Sequence, residues 1–148
     1  MNRQILLVED SLTDEKLTMR AINKADVGAI IQVVRDGAEA LEYLFRTGKF
    51  GQRDVHIEPA LILLDLKLPR VDGLEVLRRT RASPLTRLLP VVIMTASGQE
   101  DDVVAAYSLG ANGYVRKPVD FPIFVSNTRT LLHFWLKINE AAPPQRGS

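Results

Sequence analysis

Three acids, a hydroxyl and an ammonium stand at Glu9, Asp10, Asp65, Thr95 and Lys117, each at the end of a short apolar run. If those runs are strands of one sheet, the carboxylates of Glu9, Asp10 and Asp65 crowd together and repel unless a cation neutralises them. Oxygen donors with no His or Cys beside them favour a hard ion. Mg²⁺ suits such a set, because it typically takes one or two carboxylates, several waters and a phosphate oxygen. Asp65, in the stretch LLDLKLP, could then meet a phosphorus in line as a nucleophile, with Mg²⁺ offsetting charge on the transferring oxygens. Thr95 could hydrogen-bond one phosphoryl oxygen and Lys117 could bring a flexible point charge to another. Each residue alone has an ordinary explanation: Asp10 or Ser11 as a helix cap, Thr95 as a strand end, Lys117 as a solvated surface charge. It is the combination that asks for a metal.

The elements that must position these groups are legible in the hydrophobic pattern. Gln4 to Val8, Leu61 to Leu64 and Val91 to Met94 are short continuous apolar runs, the pattern of parallel strands buried on both faces. Ile30 to Val34 and Gly113 to Val115 read as two further strands. Between them, helical spacing predicts helices near Leu12 to Ala25, Gly37 to Arg46, Asp72 to Ala82, Glu100 to Leu109 and Phe121 to Asn139. The alternation predicts an α/β fold with a parallel sheet covered on both sides, whose functional groups gather at the carboxyl ends of the strands.

Composition narrows the function classes. The chain has 148 residues, 46% of them hydrophobic, enough for one core. We expect a single domain over residues 1–139 and a flexible Pro-rich tail over 140–148. The 19 basic and 18 acidic residues nearly cancel, which argues against nucleic-acid or membrane-surface binding. There is no cysteine, which excludes thiol chemistry and disulfides. No run approaches the ~18 apolar residues of a membrane span, and Glu9 and Asp10 interrupt the N-terminal apolar run too early for a signal peptide. The expected location is cytoplasmic.

The motifs VEDS, LLDLKLPRVDG around Asp65, MTA at Thr95 and NGYVRKP through Lys117 together resemble the receiver domain of two-component response regulators, in the right order and over nearly the whole chain to about Asn139. The resemblance implies a doubly wound, flavodoxin-like sheet of order 2-1-3-4-5 with five helices. It implies that Asp65 takes a phosphoryl group from a sensor histidine kinase or phosphotransfer protein. Asp10 and Asp65 would then bind Mg²⁺ directly, Glu9 through water, and the Lys67 carbonyl would complete the site. It assigns the Lys67 side chain and Ser97 to positions that tune phosphoryl lifetime. Neither is suited to position an attacking water, so slow self-dephosphorylation is expected. Thr95 and Tyr114 would form the conformational switch, Ala96 would leave room for it, and a cis Lys117–Pro118 bond would aim Lys117 into the site. Such a protein catalyses only its own phosphorylation and dephosphorylation and is not otherwise an enzyme. The longer connection Gly48 to Pro59 and the aromatic HFWL near the end are similar to stand-alone receivers partnered with phytochrome-like photosensor kinases.

Two surfaces suggest partners. The connection Gly48 to Pro59 exceeds the usual ~2–6 residues and is a candidate partner loop or a tolerated insertion. In the last helix Leu131, Leu132, Phe134, Trp135, Leu136 and Ile138 spread wider than one core contact needs, which favours a homodimer through Leu132, Phe134, Trp135 and Leu136. Output would pass by protein contact or onward phosphotransfer. The alternatives are an unphosphorylated interaction module on the same fold and, less favoured, a haloacid-dehalogenase-type phosphatase. The latter expects a second acid where Lys67 stands. A flavin or dinucleotide site is opposed by the acids of EDSLTDE, which occupy the place where an anion would sit.

Overall fold

The structure, a computed structural model, describes residues 3–54 and 57–145. Strands β1 (Arg3–Val8), β2 (Ala29–Val34), β3 (Pro59–Leu64), β4 (Val91–Thr95) and β5 (Gly113–Arg116) alternate with helices α1 (Leu12–Ala25), α2 (Gly37–Phe45), α3 (Gly73–Ala82), α4 (Glu100–Ser108) and α5 (Phe121–His133). The strands are parallel, in the order β2-β1-β3-β4-β5, as the pattern and the resemblance predict.

The three central strands are apolar along their length because both faces are covered. Leu6, Val8, Ile62, Leu64 and Ile93 pack with Ala40, Leu41 and Leu44 of α2 and Val76 and Leu77 of α3. Their neighbours Ile5, Leu7, Leu61, Leu63 and Met94 pack on the opposite side with Ala21 and Ile22 of α1 and Phe124 and Leu132 of α5. This alternation fixes the strand register: a slip by one residue would exchange the two faces.

Four helices are started by a capping side chain. Ser11 Oγ accepts from the Asp14 amide at 3.2 Å, Asp36 from Glu39 at 2.7 Å, Asp72 from Glu75 at 3.0 Å and Asp120 from Ile123 at 3.0 Å. Each cap contributes about 1 kcal/mol. They also fix helix N-termini, with their partial positive charge, at the carboxyl edge of the sheet where the acids lie.

The connection after α2 differs from a free partner loop. A 3₁₀ turn at Gly48–Phe50 sets the Phe50 ring edge-on against Tyr43 with centroids 4.9 Å apart. Arg53 lies 4.2 Å over the same Tyr43 ring and donates to the carbonyls of Tyr43 and Ile57. Phe50 and Arg53 are thus committed to the protein's own α2, while residues 55–56 of the connection fall outside the described residues.

The last helix also departs from the sequence reading. α5 stops at His133 and continues as one π-helical turn, Phe134–Ile138, closed by the Asn139 amide on the Phe134 carbonyl at 2.7 Å. Leu132 and Leu136, expected at a dimer interface, are 0% and 3% exposed and belong to the core. Trp135 is half-buried against that core. Phe134 alone of the four faces outward, at 44% exposure. The apolar stripe is wide because α5 packs on α1 as well as on the sheet, so two adjoining faces of one helix are covered.

Candidate functional site

Backbone pairing at the strand ends builds the site. The Glu9 amide donates to Val34 O at 3.0 Å and the Asp65 amide to Val8 O at 3.1 Å. β1 is therefore held between its neighbours up to its last residue, and Glu9 emerges beside Asp65. Both are buried, at 2% and 8% exposure, while Asp10 is exposed. One carboxylate oxygen from each of Glu9, Asp10 and Asp65 lies within 4.8 Å of the other two. Ser11, not Asp10, caps α1, and its amide donates to Glu9 Oε2 at 3.2 Å.

Lys117 follows β5, its amide anchored on Thr95 O at 2.7 Å. Its ammonium is ion-paired with Glu9, 3.0 Å from Asp14 Oδ2 and 3.2 Å from Asp65 Oδ2. The Lys117–Pro118 bond is trans, contrary to expectation: the side chain reaches the carboxylates without a cis peptide. Burial on its own would lower the Lys117 pKa, but the hydrogen bond to Glu9 and the charges of Asp65 and Glu9 raise it above the ordinary value. Lys117 stays an ammonium.

Burial pushes the Glu9 carboxyl up to about 7, against the opposing hydrogen bond and charge of Lys117. The rise comes from burial of the carboxyl, and a bound cation would offset it. Three carboxylates presenting oxygens at this spacing, with no His or Cys in the set, fit a hard divalent ion such as Mg²⁺.

The backbone after Asp65 folds tightly around it. The Lys67 amide donates to Asp65 Oδ1 at 3.4 Å and the Gly73 amide to Leu66 O at 2.9 Å. A Cβ at Gly73 would collide with the Asp65 carbonyl oxygen and press on Leu66, so the glycine of the VDG stretch lets α3 start directly against the Asp65 backbone.

Thr95 is 1% exposed at the end of β4, and its hydroxyl accepts from the Ser97 amide at 3.5 Å. Tyr114 is half-buried and donates its hydroxyl proton to Ser97 O at 2.9 Å. Ser97 Oγ hydrogen-bonds Asp102 Oδ2, and the Lys67 ammonium stands 3.9 Å from the same oxygen. The sequence reading missed Asp14 and Asp102. Both lie in the first turn of a helix that starts at the carboxyl edge of the sheet, and that position was the available signal.

A larger cavity, about 580 Å³, opens at the opposite edge, lined by Arg3, Gln4, Pro59, Leu85 and tail residues 141–145. It lies at the amino ends of the strands, where the topology gathers no functional groups. The carboxylate cluster and Lys117 lie at the other, carboxyl edge.

Residues 5–128 match the family model of the response regulator receiver domain. The chain belongs to that family. Response regulator Rcp1 of Synechocystis is 36% identical over 90% of this chain and 88% of its own length, and its structure in a Mn²⁺-bound form superposes with a TM-score of 0.87, covering 95% of this chain and 99% of that one. The phosphorylated cyanobacterial phytochrome response regulator RcpA is 34% identical with a TM-score of 0.89, over 97% of this chain and all of that one. The bacteriophytochrome response regulator RtBRR is 49% identical with a TM-score of 0.78, over 98% of this chain and 87% of that one. The protein is thus a receiver closely related to phytochrome response regulators. None of its described helices is long and apolar enough to cross a membrane.

Proposed function

We propose that Asp65 is the phosphoacceptor of this receiver, that it takes its phosphoryl group from the histidine of a sensor kinase, and that the kinase is a phytochrome-type photosensor. The observation that carries the reading is the Lys117 ammonium within 3.2 Å of Asp65 Oδ2 in a pocket shared with Glu9 and Asp10.

In the transfer, an Asp65 carboxylate oxygen attacks phosphorus in line. The new P–O bond forms as the P–N bond to the donor imidazole breaks, and its electron pair returns to the ring nitrogen, which takes up a proton. Lys117 and the Thr95 hydroxyl hold charge on the phosphoryl oxygens, and burial keeps water from competing. Glu9, Asp10, Asp65 and the Lys67 carbonyl would hold Mg²⁺, which when bound supplies countercharge to the transferring oxygens. The acyl phosphate draws Thr95, and with it the segment carrying Ser97 and its bond to Tyr114, so the outer surface reports the state of Asp65. Its activity is confined to its own phosphorylation and slow dephosphorylation, in the cytoplasm. Output passes to a downstream protein or phosphotransfer domain.

The kinase assignment rests on likeness to RcpA and RtBRR. Its test is phosphotransfer from an autophosphorylated phytochrome-type kinase to the wild type and to Asp65→Asn, against a kinase of another sensor class. Rapid transfer from the first donor alone, absent in Asp65→Asn, is expected; equal transfer from both donors removes the photosensor assignment and leaves the phosphoacceptor. A homodimer would use the outward faces of Phe134 and Ile138, which are 44% and 62% exposed, and sedimentation of the wild type and Phe134→Ala reads it.

A further inference from the structure

Asp102 has no place in the transfer just described, yet it ties together the two side chains assigned to phosphoryl lifetime. It lies in the first turn of α4 with Glu100 and Asp101. Those two are exposed, whereas Asp102 is partly buried. One oxygen, Oδ2, accepts a hydrogen bond from the Ser97 hydroxyl and faces the Lys67 ammonium at 3.9 Å. The Lys67 amide sits 3.4 Å from Asp65 Oδ1, so its side chain begins at the acceptor carboxylate and extends away from it to Asp102. Asp10, Lys67 and Asp102 line one cavity of about 340 Å³, into which a released Lys67 ammonium can swing.

We propose that Asp102 is a positioning residue that holds Lys67 off the phosphoryl group and thereby shortens that group's life. The inference rests on the reading of Asp65 as the phosphoacceptor. Hydrolysis requires a water oxygen to attack phosphorus opposite Asp65. A P–O bond forms, the P–O bond to Asp65 breaks with its electron pair returning to the carboxylate, and the water proton passes to solvent. A phosphoryl dianion attracts the Lys67 ammonium more strongly than a single carboxylate does, and an ammonium on its oxygens covers the open side from which water arrives. Asp102 competes for that ammonium.

The experiment follows decay of the acetyl-phosphate-derived adduct by intact mass in wild type, Asp102→Ala and Asp102→Asn, alone and in a Lys67→Met background. Lys67 is largely exposed and the contact is long, so the pair's worth converts to a change of about two- to fivefold. The adduct should live longer by that factor in both Asp102 variants, since the effect belongs to charge. The gain should vanish in Lys67→Met and shrink in about 0.5 M salt, where exposed charges are screened. An unchanged or shorter lifetime overturns the proposal. So does a gain confined to Asp102→Ala, which would assign the effect to the Ser97 hydrogen bond, or a gain that persists without Lys67. Failure of the wild type to form any adduct or any beryllofluoride complex overturns the phosphoacceptor reading along with it.

Discussion

Replacing Lys117 by Met tests the electrostatics of the site without touching the acids. The Lys117 side chain is 11% exposed, and its ammonium pairs with Glu9, Asp14 and Asp65, whose side chains are 2%, 39% and 11% exposed. Removing one partner of a buried ion pair costs about 3–5 kcal/mol. Glu9, already pushed up to about 7 by burial, can take a proton and relieve part of that loss, which sets the expectation at the lower end. An unfolding entropy of about 2 cal/mol/K per residue, over a chain of this length, makes ~3 kcal/mol a fall in Tm of about 10 °C.

The pH dependence has a definite sign. A carboxyl whose folded pKa is raised stabilises the fold below its unfolded pKa, and that contribution is lost as pH rises through the folded value. Without Lys117 the folded Glu9 value rises further, so the variant's deficit should grow from about pH 6 to about pH 8. Mg²⁺ replaces the missing positive charge and should raise the Tm of the variant more than that of the wild type; a saturating ligand at ~100 times its Kd adds about 2.7 kcal/mol. Thermal melts followed by circular dichroism, in EDTA and in Mg²⁺ at both pH values, read all of this. An unchanged Tm in EDTA, or equal Mg²⁺ stabilisation of both proteins, would refute the reasoning.

Three further outcomes are expected. Leu132→Ala should lose about 2–5 kcal/mol in urea unfolding, whereas Phe134→Ala should leave monomer stability within about 1 kcal/mol; equal losses would contradict the placement of these side chains. Asp10→Asn should weaken Mg²⁺ binding by at least about tenfold in a calorimetric titration, with little change in Tm in EDTA because Asp10 is exposed. Gly73→Ala should cost about 1–3 kcal/mol and slow phosphorylation by a small donor, since its Cβ would push against the backbone that carries Asp65.

The sheet was legible because β1, β3 and β4 carry apolar residues on both faces, which only a strand covered from both sides requires. The acids that follow them in sequence stood out for the same reason: a carboxylate directly after a buried strand must lie at the sheet edge. Asp14 and Asp102 were not legible, since an acid in the first turn of a helix is already accounted for by the helix dipole. Their pairing with Lys117 and Lys67 is set by tertiary packing across more than one loop. Leu132 and Leu136 were misplaced because periodicity gives the width of an apolar stripe but not how many neighbours cover it. Phe50 and Arg53 likewise sit in a polar stretch whose contact with Tyr43 leaves no periodic trace.

The central claim is that Asp65 accepts a phosphoryl group with the help of a divalent cation. Its most direct test is the intact mass of wild type and Asp65→Asn after incubation with acetyl phosphate, with and without Mg²⁺. A single phosphoryl adduct on the wild type that requires both Asp65 and Mg²⁺ is the expected result. An adduct that persists in Asp65→Asn, or no adduct together with no Mg²⁺-dependent beryllofluoride complex, would contradict it and favour an unphosphorylated interaction module on the receiver fold.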